Sequence, residues 1–135
     1  LAALGNPDLR AVIITPSNPF VSVDPILELP GVREVLGAAP APIIAVSPIV
    51  AGLAIKGPAA KMMAELGMPS TALAVAEHYG DLLDGFVLDH GDGDQAEAVA
   101  ALGMRPLVTK TVMQSLEDRQ QLARDVLDLA EDLKG

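Results

Sequence analysis

The stretch Ala11-Val12-Ile13-Ile14-Thr15-Pro16-Ser17-Asn18-Pro19-Phe20-Val21-Ser22 decides how this chain is read. Its first four residues form an apolar, largely β-branched run of the kind that becomes a buried strand. The run then empties into a polar segment stiffened by prolines. Thr15 and Asn18 each precede a proline, which disfavours the right-handed helical region, so the chain leaves the strand extended. Ser17, Asn18 and Ser22 are thereby presented before the next helix begins. In open α/β sheets this carboxyl end of a strand is where ligands bind. The segment reads as one wall of a ligand site.

Three further apolar runs follow: Pro42 to Val46, Gly85 to Leu88 and Pro106 to Val108. Helical patterns separate the four runs, and such alternation implies parallel β-α-β units. Each run is nearly continuous rather than alternating, as expected of strands covered on both faces. The fold class is therefore α/β: a parallel sheet of about four strands in a three-layer sandwich, forming part of a single domain across residues 1–135. Asp24-Pro25 suits a helix start, and a second helix over about Val32 to Ala39 carries Val32, Val35 and Leu36 on one face. Two helices separate the second and third strands, one opened by Gly57-Pro58 and one capped by Ser70. Together they predict a small helical insertion over about 57–83. Ser115-Leu116-Glu117-Asp118 has the spacing of a capping box. Beyond it, Leu116, Leu122, Val126, Leu127, Ala130 and Leu133 are assigned to the inner side of the last helix.

Composition narrows the function. With 135 residues, half of them apolar, the chain can bury the core of one domain. It has no cysteine, which excludes disulfides, a thiol nucleophile and thiolate metal ligands. A reducing cytoplasm fits that usage. No apolar run approaches the roughly 20 residues that span a bilayer, and no signal peptide is visible. A net charge of −9 with scattered basic residues argues against a nucleic-acid surface. Leu1 stands inside a helix-like pattern (Leu1 to Leu4), which is expected of a piece cut from a longer chain whose remaining part lies upstream.

Two more loops leave strand ends with useful groups. The first runs from Ser47 to Pro58 and is long for a strand-to-helix connection, which commonly takes about 2–6 residues. Gly52 and Gly57 allow close backbone approach. Lys56 stands just before a helix start, where a cation opposes the helix dipole, so an anionic ligand explains it better than stability does. The second, Asp89 to Asp94, reads as a turn with aspartate caps: a calcium-loop spacing fails because Ala96 and Ala98 fall at later ligand positions. His78, within Glu77-His78-Tyr79, is a candidate ligand contact or general base. No catalytic triad or metal-ligand spacing emerges.

Thr15-Pro16-Ser17-Asn18-Pro19, Ser22, Pro25-Ile26-Leu27 and Pro30-Gly31-Val32-Arg33 together resemble the 2-phospho-L-lactate transferase family (CofD, also called FbiA). The likeness continues through Ser47-Pro48-Ile49-Val50, Lys56-Gly57-Pro58-Ala59, Lys61-Met62-Met63, His78-Tyr79, Asp84-Gly85-Phe86 and Val108-Thr109. The resemblance implies a Rossmann-like fold with a helical insertion, a homodimer, and an enzyme of coenzyme F(420) biosynthesis in the cytoplasm. Such enzymes move a phospholactyl or phosphoenolpyruvyl group from a guanosine-diphosphate-activated donor to the deazaflavin Fo, releasing GMP with magnesium assistance. On that resemblance Thr15, Ser17, Asn18, Pro19, Ser22, Ser47, Gly52, Lys56, Gly57 and His78 are assigned to substrate binding. The family's glycine-rich N-terminal loop and metal-associated acidic residue have no counterpart here. The Mg2+ ligands are therefore expected upstream, the catalytic residues are left unassigned, and the fragment alone is expected to be inactive.

The chain departs from the family pattern at Ala51 (usually glycine), Leu53 (usually lysine or a similar polar residue) and Asp24 (often glycine). Loss of the lysine leaves Lys56 as the remaining cation of its loop, and these departures leave open a divergent paralogue. A different class is the alternative: related folds bind nucleotide sugars as non-enzymatic regulators, through a similar loop rich in serine and proline.

Overall fold

The structure, a computed structural model, describes residues 11–14, 24–38, 41–50, 53–54, 65, 67, 71–112 and 114–134. Strand β1 (Val12–Ile14) is followed by α1 (Asp24–Leu27), α2 (Val32–Gly37) and β2 (Ile43–Val46). A two-stranded ribbon, β3 (Ile49–Val50) and β4 (Leu53–Ala54), leads toward α3 (Ala72–Tyr79). Then come β5 (Gly85–Asp89), α4 (Ala96–Ala101), β6 (Arg105–Thr109) and α5 (Leu116–Lys134). All four expected runs are strands of one parallel sheet, in the order β1-β2-β5-β6. This is the Rossmann-like α/β arrangement that the sequence predicts.

Alternation along the strands divides the core in two. Ile43, Ala45, Phe86 and Leu88 face α1 to α4, while Ile44, Val46 and Val87 face α5. With helices on both faces, every residue of β2 and β5 is buried, which is why these runs read as continuously apolar. Fully burying a side chain such as Leu88 contributes about 1.5–3 kcal/mol.

The register is fixed at the amino edge of the sheet. The Asp84 N–H donates to the Ile43 carbonyl at 2.8 Å, and the Ile43 N–H donates to Asp84 Oδ2 at 2.8 Å. The Asp84 carbonyl in turn accepts from the Arg105 N–H at 2.9 Å. One residue thus aligns the starts of β2, β5 and β6. Because the Arg105 N–H points toward β5, alternation turns the nitrogen of Pro106 outward, so the missing donor breaks no bond of the ladder. Gly85, next in the chain, opens the opposite side: a Cβ there would lie 3.1 Å from Leu129 Cδ2 and 3.2 Å from Leu133 Cδ1. Its lack of a side chain lets α5 approach the sheet.

Several sequence expectations are corrected. The connection after β2, expected as one long loop, contains the antiparallel ribbon, in which Ile49 pairs with Ala54 and Val50 with Leu53. The cap of α3 is Thr71, whose hydroxyl accepts from the Ala74 N–H at 3.1 Å; Ser70 lies outside the described residues. Gly80, at φ 62°, ends α3 well before Leu83. The helix predicted to open at Gly57-Pro58 lies almost wholly outside the described residues. On α5, Leu122, Val126, Leu129 and Ala130 are buried, but Leu116 is 67% and Leu127 51% exposed. At 3.6 residues per turn Leu127 falls about 100° away from Val126, so the inner stripe uses Leu129 instead. Among the described residues no helix is long and apolar enough to cross a membrane.

These contacts set up a paired test. Gly85→Val forces β-branched bulk against Leu129 and Leu133 and should lower stability by about 1–3 kcal/mol. Gly37→Ala, at the end of α2 with open space around its Cα, should be neutral or stabilising by up to about 1 kcal/mol. Denaturant midpoints of the two variants check both directions; equal midpoints would refute the close approach at Gly85.

Candidate functional site

The strands end together at Ile14, Val46, Asp89 and Thr109, so the loops after them share one edge of the sheet. At the end of β2, Ser47 is fully buried, and its N–H donates to the Val87 carbonyl at 2.9 Å. Its hydroxyl accepts from the Ile49 N–H at 3.1 Å and approaches the Ile49 carbonyl as donor at 3.3 Å. This is a serine turn that shapes the chain where the ribbon begins. Ser47 therefore acts on the edge through backbone geometry.

Asp89, the last residue of β5, occupies the middle of this edge and is 8% exposed. Its Oδ1 accepts from both the N–H (2.9 Å) and the hydroxyl (3.1 Å) of Thr111, itself buried. Its Oδ2 accepts from the Gly91 N–H at 3.0 Å. Burial pushes the carboxyl up. The Gly91 N–H, the N–H and hydroxyl of Thr111 and the charge of nearby His90 together outweigh that, and hold it below the usual carboxylate value. Asp89 is thus an ionised clasp between the loops after β5 and β6. The aspartate-capped turn read from the sequence is present, as the 3-10 turn His90–Gln95. Within it Gln95 Oε1 accepts from the Leu73 N–H at 2.8 Å, joining the turn to the start of α3.

The loop after β6 is tied to α5 by polar groups. The Thr109 hydroxyl donates to Asp125 Oδ2 at 2.6 Å, and Gln121 Nε2 donates to Asp125 Oδ1 at 2.9 Å. Half of the predicted capping box forms: the Asp118 N–H donates to the Ser115 hydroxyl at 3.1 Å. The reciprocal bond goes one residue earlier, from the Gln114 N–H to Asp118 Oδ2 at 3.0 Å. That bond, with Lys110 Nζ at 3.2 Å, holds the Asp118 carboxyl below its ordinary value. Among the described residues no group of three or more His, Asp or Glu side chains could hold a metal ion.

Of the residues the sequence assigned to binding, Ser47 is on the carboxyl edge. His78 lies in the last turn of α3, whose end leads through Gly80–Leu82 into the start of β5. It therefore stands toward the amino edge, edge-on to Tyr79 with ring centroids 5.9 Å apart. The structure does not bring it together with Ser47. Thr15, Ser17, Asn18, Pro19, Ser22, Gly52, Lys56 and Gly57 lie outside the described residues. Sequence reasoning missed Thr111 and the cross-loop role of Asp89. No signal in the sequence marked them, because only the pairing of the third and fourth runs in the folded sheet sets Asp89 opposite Thr109.

Residues 1–128 match the family described as 2-phospho-L-lactate transferase CofD. A phosphoenolpyruvate transferase of Streptomyces coelicolor is 42% identical over 135 residues, covering 99% of this chain and 42% of the relative. A 2-phospho-L-lactate transferase of Methanosarcina acetivorans is 42% identical over 118 residues, covering 87% of this chain and 38% of the relative. That of Methanocaldococcus jannaschii is 37% identical over 126 residues, covering 93% and 38%. The chain spans about two-fifths of the length of these relatives.

The ionised clasp gives a pH prediction. A carboxyl held below its ordinary value of 3.8 stabilises the fold above that pH, and the contribution is lost as pH falls through its folded value. Unfolding of wild type and Asp89→Asn should therefore show a constant stability gap from about pH 5 to 8 that narrows progressively as pH falls below about 4. A gap that does not narrow on acidification would show that the clasp does not depend on the charge.

Proposed function

The chain belongs to the 2-phospho-L-lactate transferase CofD family, and on that premise we propose that it is the C-terminal portion of a transferase of coenzyme F(420) biosynthesis. The family match over residues 1–128 carries this reading. Relatives named for phosphoenolpyruvate and for 2-phospho-L-lactate both align with the chain, so the group moved is a phosphorylated three-carbon acid of either kind. The donor is the guanosine-diphosphate-activated acid and the acceptor is the deazaflavin Fo, with a homodimer as the working form.

In the proposed reaction the terminal hydroxyl oxygen of Fo bonds the phosphorus that bears the three-carbon acid. The bond from that phosphorus to the bridging oxygen breaks, GMP leaves with the electron pair, and the hydroxyl proton departs to a base assigned to no residue here. Little of this needs covalent chemistry from the protein; it needs alignment and neutralisation of phosphate charge. Thr15 and Pro19 shape the first loop so that Ser17, Asn18 and Ser22 meet the diphosphate or Fo. Lys56 neutralises phosphate oxygens, with Gly52 and Gly57 admitting the ligand close to the backbone. Ser47 holds the entry to that loop. His78, near the opposite edge, is left out of this site. Magnesium, where it assists, is assigned to residues outside those described, and no step above depends on it.

The test is an assay of the full-length protein with Fo and each activated donor, reading GMP release and the modified deazaflavin. Turnover with one donor supports the transferase and identifies the acid. Binding of a nucleotide sugar without turnover of Fo would favour the regulator instead. In the same protein Lys56→Ala should weaken binding of guanosine diphosphate about tenfold, as loss of a charge-assisted contact does. Unchanged affinity would remove Lys56 from the phosphate site.

A further inference from the structure

We propose that Asp89 is a positioning residue of the nucleotide side of this site, acting through Gly91 and the ribbon after β2 without touching substrate. The inference rests on the transferase reading and assigns a role that the reading does not contain.

Three observations carry it. First, both carboxylate oxygens are engaged: Oδ1 by the N–H and hydroxyl of Thr111 and Oδ2 by the N–H of Gly91, all between 2.9 and 3.1 Å. A carboxylate so occupied is a frame rather than a general base. Second, its partners lie on two different loops, Gly91 after β5 and Thr111 after β6, so it sets the spacing between neighbouring loops of the ligand edge. Third, the turn that it holds, His90–Gln95, packs against Ile49–Val50. That strand follows Ser47, where the proposed phosphate loop begins, and Ser47 is itself fixed to β5 through the Val87 carbonyl. The start of that loop therefore has the clasped turn as its floor. Misplacing a binding group by about 1 Å lowers activity on the order of a hundredfold, so a loosened floor acts on the ligand from a distance.

Asparagine cannot replace the carboxylate. It offers one acceptor oxygen to three donors and sets its own N–H groups against the N–H of Gly91 or Thr111. Thr111→Ser keeps both donors; Thr111→Val removes only the hydroxyl.

The experiment is steady-state kinetics of the full-length transferase, wild type against Asp89→Asn, Thr111→Val and Thr111→Ser, normalised to folded protein. The expected result is a KM for the activated donor raised about tenfold or more in Asp89→Asn and severalfold in Thr111→Val, with a smaller change in KM for Fo. Thr111→Ser should restore donor KM to near the wild-type value. A residue that only stabilises the fold would lower the folded fraction and leave both KM values unchanged, and that outcome overturns the proposal. Should Asp89→Asn fail to fold, Thr111→Val decides the matter by the same criterion. If wild type binds guanosine diphosphate but does not turn over Fo, the transferase reading fails while the positioning role is still read from nucleotide affinity. Weaker binding by the variants then supports the role, and equal binding refutes it. Wild type that binds no guanosine diphosphate overturns both.

Discussion

Everything at the carboxyl edge depends on a constraint at the amino edge, where Asp84 exchanges two hydrogen bonds with the backbone of Ile43 and accepts a third from Arg105. Parallel strands have a side-chain period of two, so a one-residue slip would exchange the two faces of the sheet. Pinning both polar groups of Ile43 removes that freedom for β2, and the Arg105 bond does so for β6. The consequence appears in the core, where Ile43 and Ala45 join the helices of one layer while Ile44 and Val46 join α5. Gly85 completes the arrangement by letting Leu129 and Leu133 reach the sheet beside the pin.

With register settled at one end, the other end inherits a fixed set of neighbours. The sheet interior is apolar, and the buried polar residues among those described are Ser47, Asp89, Asp92 and Thr111, all at or just beyond strand ends on the carboxyl side. Burying polar groups is unfavourable unless they find partners, and no buried side-chain nitrogen or oxygen among the described residues lacks one. Ser47 closes a local turn, whereas Asp89 reaches a residue 22 positions away. The edge is thus built of cross-braced loops, which is the kind of support a preorganised binding surface needs.

The division between what was legible in the sequence and what was not follows from the range of each interaction. The four strands were legible because burial on both faces forces unbroken apolar runs, and each begins and ends within one residue of its run. Strand order was not, since the runs carry no mark of their neighbours. The ribbon at Ile49–Ala54 was missed because two-residue strands have no period to detect. Leu116 and Leu127 were misplaced, and Leu129 overlooked, because a helix with many leucines offers several stripes and only packing against Val87 and Ile44 selects one. The clasp was invisible for a related reason. Asp89 looks like any turn-capping aspartate until the β5–β6 register carries Thr111 to it. The loops that the sequence marked most strongly, around Asn18 and Lys56, lie outside the described residues.

The acidity of the chain raises a last question of electrostatics, because a protein of net charge −9 is proposed to hold a diphosphate. Three carboxylates at or beyond the strand ends answer it by how they are engaged. Asp89 receives three hydrogen bonds, Asp118 is bonded by the Gln114 N–H and by Lys110, and Asp125 by Thr109 and Gln121. Donors aimed at a carboxylate oppose its field where it points, and each of these carboxylates points into the loop framework. Part of the remaining charge lies on the outer face of α5, where Glu117, Asp128, Glu131 and Asp132 are exposed and salt screens them within about 8–10 Å. The same bonds that brace the loops therefore offset the negative charge of these three carboxylates, so bracing the edge and holding an anion there make compatible demands on one set of residues.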